Sequence, residues 1–315
     1  MIEFENIGKK YDDQNALKNL TLTINDGELF VLVGPSGSGK TTLLKTINQL
    51  VVPTSGTVKV DGEDVSKTDL RQLRRHIGYV LQTGALFPNL TVAQNTAVQL
   101  DALGWDKKTK EDRISALMAK VGLPPETFLQ RMPSELSGGE AQRVGIVRAL
   151  AAKPKLILMD EPFSALDPVS RRQLQQIMIE LHREIDATIV FVTHDMHEAT
   201  LLADRVGVVY HGALQQVGPP NEVMANPANE VVRQFFDAES SGDRLLKQVL
   251  VAGLGREKQP GETPLKVRNS QTVFEWAGML ERRADQLIEV DGRVLTIHDL
   301  LNYVARLGEE SDHDQ

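Results

Sequence analysis

The densest group of residues able to do chemistry is Gly34-Pro35-Ser36-Gly37-Ser38-Gly39-Lys40-Thr41-Thr42. Small residues at this spacing let successive backbone N–H groups turn inward and cradle phosphate oxygens, and a helix N-terminus behind them adds partial positive charge. Lys40 is placed to reach terminal phosphates and the Thr41 hydroxyl to ligate Mg²⁺. A Gly/Ser-rich turn would satisfy the same letters, so the flanking elements decide. Three further groups follow apolar runs: Gln82 after Ile77 to Leu81, Asp160-Glu161 after Leu156 to Met159, and His194 after Thr188 to Thr193. Two acids ending a buried strand are unfavourable unless a cation answers them. Asp160 suits Mg²⁺, and Glu161 suits orienting or deprotonating a water. A lone His, or a Gln entering a loop, is more often structural than catalytic.

The elements that must position these residues are legible around them. Leu29 to Val33 reads as a buried strand, and Leu43, Leu44, Ile47 and Leu50 are spaced as one helix face, so the phosphate loop has its strand–turn–helix context. His194 then ends a strand on the edge shared by Gly34 and Asp160, where open α/β sheets place ligands. Ahead of the loop, Ile2, Phe4, Leu20, Leu22 and Ile24 suggest short half-buried strands, with Tyr11 between them as a core or edge aromatic. Val58 and Val60 run into Asp61-Gly62 as a hairpin, and Val206 to Val217 forms another around His211-Gly212. From Thr83 to about Ala152 the pattern is helical. Thr91 with Gln94, and Ser137 with Glu140, have capping-box spacing. Gly138 and Gly139 in the first turn after Ser137 weaken that helix by roughly 1 kcal/mol each, and their use is to admit something close to its N–H groups. Asp167 is an N-cap with Pro168 at N1, and Leu174, Ile177, Met178, Leu181 and Ile185 form the buried face that follows.

Composition removes several function classes. The 315 residues are 41% hydrophobic and 25% charged, with a net charge of −8 and no dense Lys/Arg run, which gives a nucleic-acid partner no support. The absence of cysteine excludes disulfides, thiolate metal sites and cysteine nucleophiles and fits a reducing cytoplasm. The N-terminus does not read as a signal peptide, and no apolar run approaches the roughly 18 residues a membrane span requires. Any membrane role is expected to come through partners.

Taken in order, these pieces resemble the ATP-binding subunit of an ABC transporter over about Met1 to Phe236. Leu136-Ser137-Gly138-Gly139-Glu140 is similar to that family's signature sequence. The resemblance implies an α/β fold: a phosphate-loop NTPase core, an antiparallel β-subdomain and a helical signature subdomain. It implies ATP and Mg²⁺, with Tyr11 stacking on adenine and Gly34, Ser36, Gly37, Ser38, Gly39, Lys40, Thr41 and Thr42 around the phosphates. Thr41, Gln82 and Asp160 form the metal set, and Lys40, Glu161 and His194 the catalytic set. Asp167 is expected to contact a second copy of the chain. That copy packs head to tail, so Ser137, Gly138 and Gly139 of each chain cap the other's γ-phosphate. The other implied partners are membrane permease subunits and, indirectly, a solute-binding protein, with the chain peripheral on the cytoplasmic face of the membrane.

Ala85 to Val92, Leu103-Gly104-Trp105 and Phe163 to Pro168 are similar to uptake systems for quaternary ammonium osmoprotectants such as glycine betaine, carnitine and choline. Polyamine, proline or another small solute stays open. A soluble ABC ATPase working on nucleic acid or ribosomes is a second class, but long coiled-coil insertions or a second nucleotide-binding domain would then be expected.

Residues 237–261 read as a linker containing a short helix, 262–308 as a small α+β module resembling one CBS (cystathionine-β-synthase-type) motif, and 309–315 as an acidic tail whose His313 is no metal ligand. So small a module calls for a partner, and a second copy supplies one. Asp299 falls near the position of that family's ribose contact. Against this, Thr296 replaces a usual glycine and the segment between them is short. A packing or dimerisation role therefore stands beside a nucleotide or ionic sensor.

Overall fold

The structure, a computed structural model, describes residues 1–82, 85–164, 166–240, 246–269, 271, 273–283 and 286–303. Ala165 and the acidic tail lie outside the described residues. Two compact units meet between Phe235 and Phe236.

The first unit opens with β1 (Ile2–Tyr11) and β2 (Gln14–Ile24), paired antiparallel. Both are longer than the short strands suggested by their apolar alternation, because pairing continues through polar residues to Lys10↔Asn15 and Tyr11↔Gln14. Next come β3 (Leu29–Val33), buried throughout, and α1 (Lys40–Ile47). The helix stops short of Leu50, which is 52% exposed and not part of the apolar face its spacing suggested. Asn48 ends the helix: its side chain accepts from Leu50 N at 3.1 Å while Gln49 turns to φ +54°. β4 (Ser55–Val60) and β5 (Glu63–Asp64) complete an antiparallel sheet of order β2-β1-β4-β5.

After α2 (Leu70–Arg75), β6 (Ile77–Val80) ends one residue before the predicted Leu81, whose carbonyl instead accepts from Gln142 Nε2. The helical segment comprises α3 (Val92–Ala102), α4 (Lys107–Lys120), α5 (Pro125–Phe128) and α6 (Gly138–Ala151). Both expected capping boxes form, at Thr91/Gln94 and Ser137/Glu140. Each cap is worth about 1 kcal/mol, and the second fixes where the signature helix begins.

The remaining elements of this unit alternate: β7 (Leu156–Asp160), α7 (Pro168–Glu184), β8 (Thr188–Thr193), α8 (Met196–Leu202), β9 (Arg205–Tyr210), β10 (Ala213–Gly218), α9 (Pro220–Ala225) and α10 (Glu230–Ser240), whose length contains the unit boundary. On α7, Leu174, Met178 and Leu181 are buried as expected, but Ile177 is half-buried and Ile185 lies beyond the last turn in extended backbone. The buried position next to Leu174 belongs to Gln175 instead. The second sheet has the order β10-β9-β3-β8-β7-β6, parallel except for β10. Its central strands are nearly continuous Val, Ile and Leu because both faces are covered. One core joins the sheets through Phe4, Leu22, Leu32, Leu44, Leu158 and Val190.

The second unit contains α11 (Leu246–Val251), β11 (Leu265–Lys266), α12 (Val273–Arg282), β12 (Ile288–Val290), β13 (Arg293–Leu295) and helical residues 297–303. β11 and β12 are parallel, β12 and β13 antiparallel. Trp276, Ile288, Val290, Leu300 and Tyr303 form its core. Leu246, Val249 and Leu254, which sequence reading placed in a linker, are buried in that same core. Arg256, in the stretch that reads as loose, bridges to Val294 and pairs with Glu262.

Candidate functional site

Parallel pairing places the chemical residues together. Val33 is in register with Thr193, Asp160 with Val192, and Val80 with Met159, so four strands end on one edge. Gly34, Gln82, Glu161 and His194 all follow those ends within two residues. Their convergence is thus a property of the sheet.

The phosphate loop joins β3 to α1. Gly34 is required by contact: a Cβ there would lie 2.0 Å from the Val209 carbonyl oxygen. Gly39 turns into the helix at φ +104°. Ser36 and Gly37 are exposed at the tip, and Thr42 is half-buried in the first turn of α1. Ser38 is 3% exposed, and its Oγ is buried with no hydrogen-bond partner. An orphaned buried hydroxyl is unfavourable by about 1–3 kcal/mol, so it is a group waiting for an acceptor or donor. Lys40 is 4% exposed and donates to the carbonyls of Gly34 and Pro35 at 2.6 and 2.9 Å. Burial lowers its pKa, while Glu161 and Asp160 oppose that shift.

Behind the loop, Thr41 Oγ1 donates to Asp160 Oδ1 at 2.7 Å, and Lys45 Nζ lies 3.6 Å from Asp160 Oδ2. Asp160 is 6% exposed, so this pair and hydroxyl offset the burial of its charge. A hydroxyl and a buried carboxylate side by side are hard oxygen donors of the kind that hold Mg²⁺ with phosphate and water. The residues fit that ion.

Glu161 sits at φ +45°, an unusual conformation for a side chain of this size. Its N–H donates to Val192 O at 3.0 Å, and its carbonyl accepts from Ser164 N and Oγ. These bonds turn its carboxylate toward the sheet edge. Gln82 Nε2 donates to Glu161 Oε2 at 3.2 Å, and His194 Nδ1 lies 3.3 Å from the same oxygen. Three residues named from strand ends therefore share one oxygen.

Tyr11 ends β1 with 46% of its surface exposed, so it is not a core aromatic; Lys9 Nζ stands 4.8 Å from its ring centroid. The signature turn is separate from this cluster. Ser137 and Gly138 are exposed, with Ser137 Oγ accepting from Glu140 N and Glu140 Oε2 from Ser137 N. These bonds, led by the one from the Ser137 backbone, lower the Glu140 pKa. A Cβ on Gly139 would lie 3.4 Å from Leu166 Cδ2 and 3.7 Å from Ser170 Oγ, so the signature helix lies against the start of α7. Asp167 caps that start, accepting from Val169 N and Ser170 N at 3.0 Å each.

Two contributors escaped the sequence reading. Lys45 stands four residues after Thr41, which puts both on one helix face, and that spacing was the available signal. Gly212, in the β9–β10 turn, donates its N–H to Ser38 O at 2.9 Å and accepts from Lys18 N at 2.8 Å. The turn thereby braces the phosphate loop against β2, and no local pattern announces it.

The chain as a whole has known relatives. A glycine betaine/carnitine/choline transport ATP-binding protein of Bacillus subtilis (strain 168) is 43% identical over 294 residues, 92% of this chain and 76% of the relative. The chain belongs to the ABC transporter ATP-binding family. The family model for ABC transporters matches residues 17–164. A glycine betaine uptake system ATP-binding protein of Escherichia coli (strain K12) is 45% identical over 279 residues, covering 87% of this chain and 90% of the relative. Among solved structures, the dimeric structure of a bacterial ABC transporter cassette aligns with a TM-score of 0.65 at 34% identity, covering 70% of this chain and 99% of that one. A dimeric post-hydrolysis state of the same cassette, bound to ADP and Pi, gives 0.64 at 33% identity, with the same coverage. As a member of that family, the chain is an ABC ATPase. Among the described residues no helix is long and apolar enough to cross a membrane.

Proposed function

We propose that this chain is the ATP-hydrolysing subunit of an importer for quaternary ammonium osmoprotectants, glycine betaine, carnitine or choline among them. The observation that carries the reading is end-to-end similarity: relatives named for those solutes match 87–94% of the chain at 41–45% identity. The solute itself does not meet this chain, so pocket chemistry is silent on it.

Within the site, Ser38, Lys40 and the loop N–H groups bind the triphosphate, with Tyr11 offering its exposed ring to adenine. Thr41, Asp160 and Gln82 would hold Mg²⁺, which when bound supplies charge neutralisation at the phosphates. Glu161 accepts the proton of the attacking water, aimed by its αL backbone, and His194 holds both that carboxylate and the γ-phosphate side. A positioned base of this kind contributes typically about 10²–10⁴-fold.

Two copies head to tail complete the site. Supporting this, the exposed Ser137-Gly138 turn and the exposed start of α7, where Val169 is 66% exposed, lie side by side as one surface. A helix N-terminus with glycines in its first turn suits an anion offered by a partner. An open groove of about 700 Å³, lined by Arg71, Arg75, Tyr79, Phe87, Val98 and Arg148, suits a permease helix and so supports reading the chain as a peripheral subunit on the membrane's cytoplasmic face.

For the second unit, the order β11-α12-β12-β13-helix supports a single CBS-like module over 262–308, preceded by a packed helix rather than a free linker. Asp299 accepts from Gly255 N, Thr296 N and Thr296 Oγ1 at 3.1, 2.8 and 2.7 Å. Its carboxylate is thus occupied in capping the last described helix, which favours packing or dimerisation over ribose binding.

The test is reconstitution with the permease and solute-binding protein in vesicles. ATPase activity should rise when glycine betaine is added with its binding protein. Stimulation by a polyamine or proline instead would reassign the solute, and hydrolysis tied to RNA without membranes would overturn the reading.

A further inference from the structure

Glu198 is a buried carboxylate that the proposed chemistry does not use. It lies on α8, 4% exposed, and accepts from Thr193 Oγ1 at 2.7 Å and Gln175 Nε2 at 3.5 Å. Its own N–H donates to Asp195 Oδ1 at 3.1 Å, and Asp195 N donates to Thr193 Oγ1 at 3.0 Å. Thr193 and Asp195 flank His194. The turn that carries His194 is therefore cross-braced on both sides, while the imidazole stays half exposed and 3.3 Å from Glu161.

This turn is gripped from α7 at two points. Gln175 reaches Glu198, and Arg171, one turn earlier on the same face, places Nη1 3.6 Å from Asp195 Oδ2. The Arg171 Nε is buried without a hydrogen-bond partner. A guanidinium left partly unsatisfied next to a carboxylate is held there by charge, not by a completed network. Arg171 N also donates to Asp167 O at 2.9 Å, so the same residue belongs to the first turn of α7, at the exposed Asp167 end. Four residues of helix, about 6 Å, separate Asp167 from the ion pair.

We infer that Arg171 is a positioning residue that couples the Asp167 end of α7 to His194, with Gln175 and Glu198 as the second attachment. A contact that moves Asp167 moves Arg171 as part of one rigid turn. The Arg171–Asp195 pair then passes the displacement to the residue beside His194, which changes the approach of the imidazole to Glu161. This rests on the reading of His194 and Glu161 as the hydrolytic pair, and it adds a route by which the far surface of α7 governs that pair.

The experiment compares Arg171→Met, which keeps the apolar stem, with Arg171→Lys, which keeps the charge, in the full chain. Arg171→Met should lower ATPase kcat by about tenfold with KM for ATP within about twofold, the signature of a lost transition-state arrangement. Arg171→Lys should recover most of the loss. Before nucleotide is added, the His194 ring resonances, assigned by comparison with His194→Gln, should shift in Arg171→Met and return in Arg171→Lys. Asp195→Asn keeps a competent N-cap and provides a variant that folds if Arg171→Met does not; it should reproduce the kcat loss, and the double variant should be no worse than either single one. Unchanged kcat and unmoved His194 resonances, or additive losses in the double variant, would overturn the coupling. A wild-type chain without ATPase activity would instead sink the reading of the site on which it rests.

Discussion

Replacing Gly212 by alanine tests whether the β9–β10 turn holds the phosphate loop in place. Gly212 has φ +80°, and a Cβ there would meet Ala16 O at 2.7 Å, Ala16 C at 3.1 Å and Leu17 Cα at 3.2 Å. All three are backbone atoms of β2, which cannot rotate away as a side chain would. Gly62, in the β4–β5 turn, has the same φ of +80° and nothing within 4 Å of its Cβ position. Gly62→Ala therefore measures the left-handed conformation alone, about 1–2 kcal/mol. Gly212→Ala adds overpacking against fixed atoms, about 1–3 kcal/mol more. At roughly 2–4 °C per kcal/mol for a unit of this size, calorimetry should find Gly212→Ala melting about 2–12 °C below Gly62→Ala. The turn can relieve the clash only by moving outward, which withdraws the Gly212 N–H from Ser38 O. Affinity for a fluorescent ATP analogue should then fall severalfold in Gly212→Ala and stay at the wild-type value in Gly62→Ala. Equal melting points for the two variants, with equal nucleotide affinity, would refute the brace.

Glu161→Gln should retain ATP binding and nearly abolish turnover, because the amide keeps the contact with Gln82 but accepts no proton; steady-state hydrolysis within a fewfold of wild type would count against its role. Burial raises Glu198 from 4.5 to about 7, and the neighbouring Asp195 adds to that. Below pH 4.5 folded and unfolded chains both carry the proton. Between pH 4.5 and 7 only the unfolded chain releases it, so stability falls through that window by about 3 kcal/mol and levels off above it. Glu198→Gln should flatten that slope in urea titrations between pH 5 and 8. Thr296→Val removes the hydroxyl that pairs with Asp299 and should weaken the last described helix by about 1 kcal/mol, seen as several-fold faster hydrogen exchange across residues 297–303 with the phosphate-loop amides unaffected.

Much of the candidate site's local geometry was readable because its information is local. A glycine-rich turn between a buried strand and a helix, acids at the end of a Leu/Ile run, and a Ser three residues before a Glu each need only a few neighbouring residues to state their physics. Thr296 and Asp299 carry the same capping spacing, and the structure shows it spent on the helix end. Failures came where a contact joins distant segments. Gly212 lies more than 170 residues from Ser38, and Arg171 meets Asp195 only because α7 packs beside α8. Leu50 illustrates a different limit. Its apolar period continues the helix, but Asn48 offers its own side chain to the Leu50 N–H and the helix ends at Ile47, three residues early. Gln175 shows the converse, a polar residue buried among apolar ones because Glu198 is there to receive it.

The electrostatics of the site explain how acids and a lysine can be kept buried yet ready. Each charged group has a partner from this chain, but apart from the Thr41 hydroxyl 2.7 Å from Asp160 Oδ1 the partners of the acids stand farther off. Gln82 and His194 lie 3.2 and 3.3 Å from Glu161, and Lys45 lies 3.6 Å from Asp160. Strong charge-assisted bonds run to about 2.7–2.9 Å, so these contacts hold Glu161 and the Oδ2 of Asp160 loosely, while the Thr41 hydroxyl fixes only the Asp160 Oδ1. Lys40 is the opposite case, held at 2.6 Å by a loop carbonyl. On the proposed reading, a bound triphosphate would offer Lys40 phosphate oxygens in place of the Gly34 and Pro35 carbonyls, and Asp160, freed from Lys45, would help hold a metal that neutralises phosphate charge. An exchange of this kind would leave neither Lys40 nor Asp160 without a partner. Lys45→Met should strengthen the dependence of stability on added Mg²⁺, since Asp160 then has only the Thr41 hydroxyl to offset its charge. Thermal scans at fixed nucleotide and rising Mg²⁺ measure that dependence directly, and a slope no steeper than wild type would show that Lys45 is a bystander at the carboxylate.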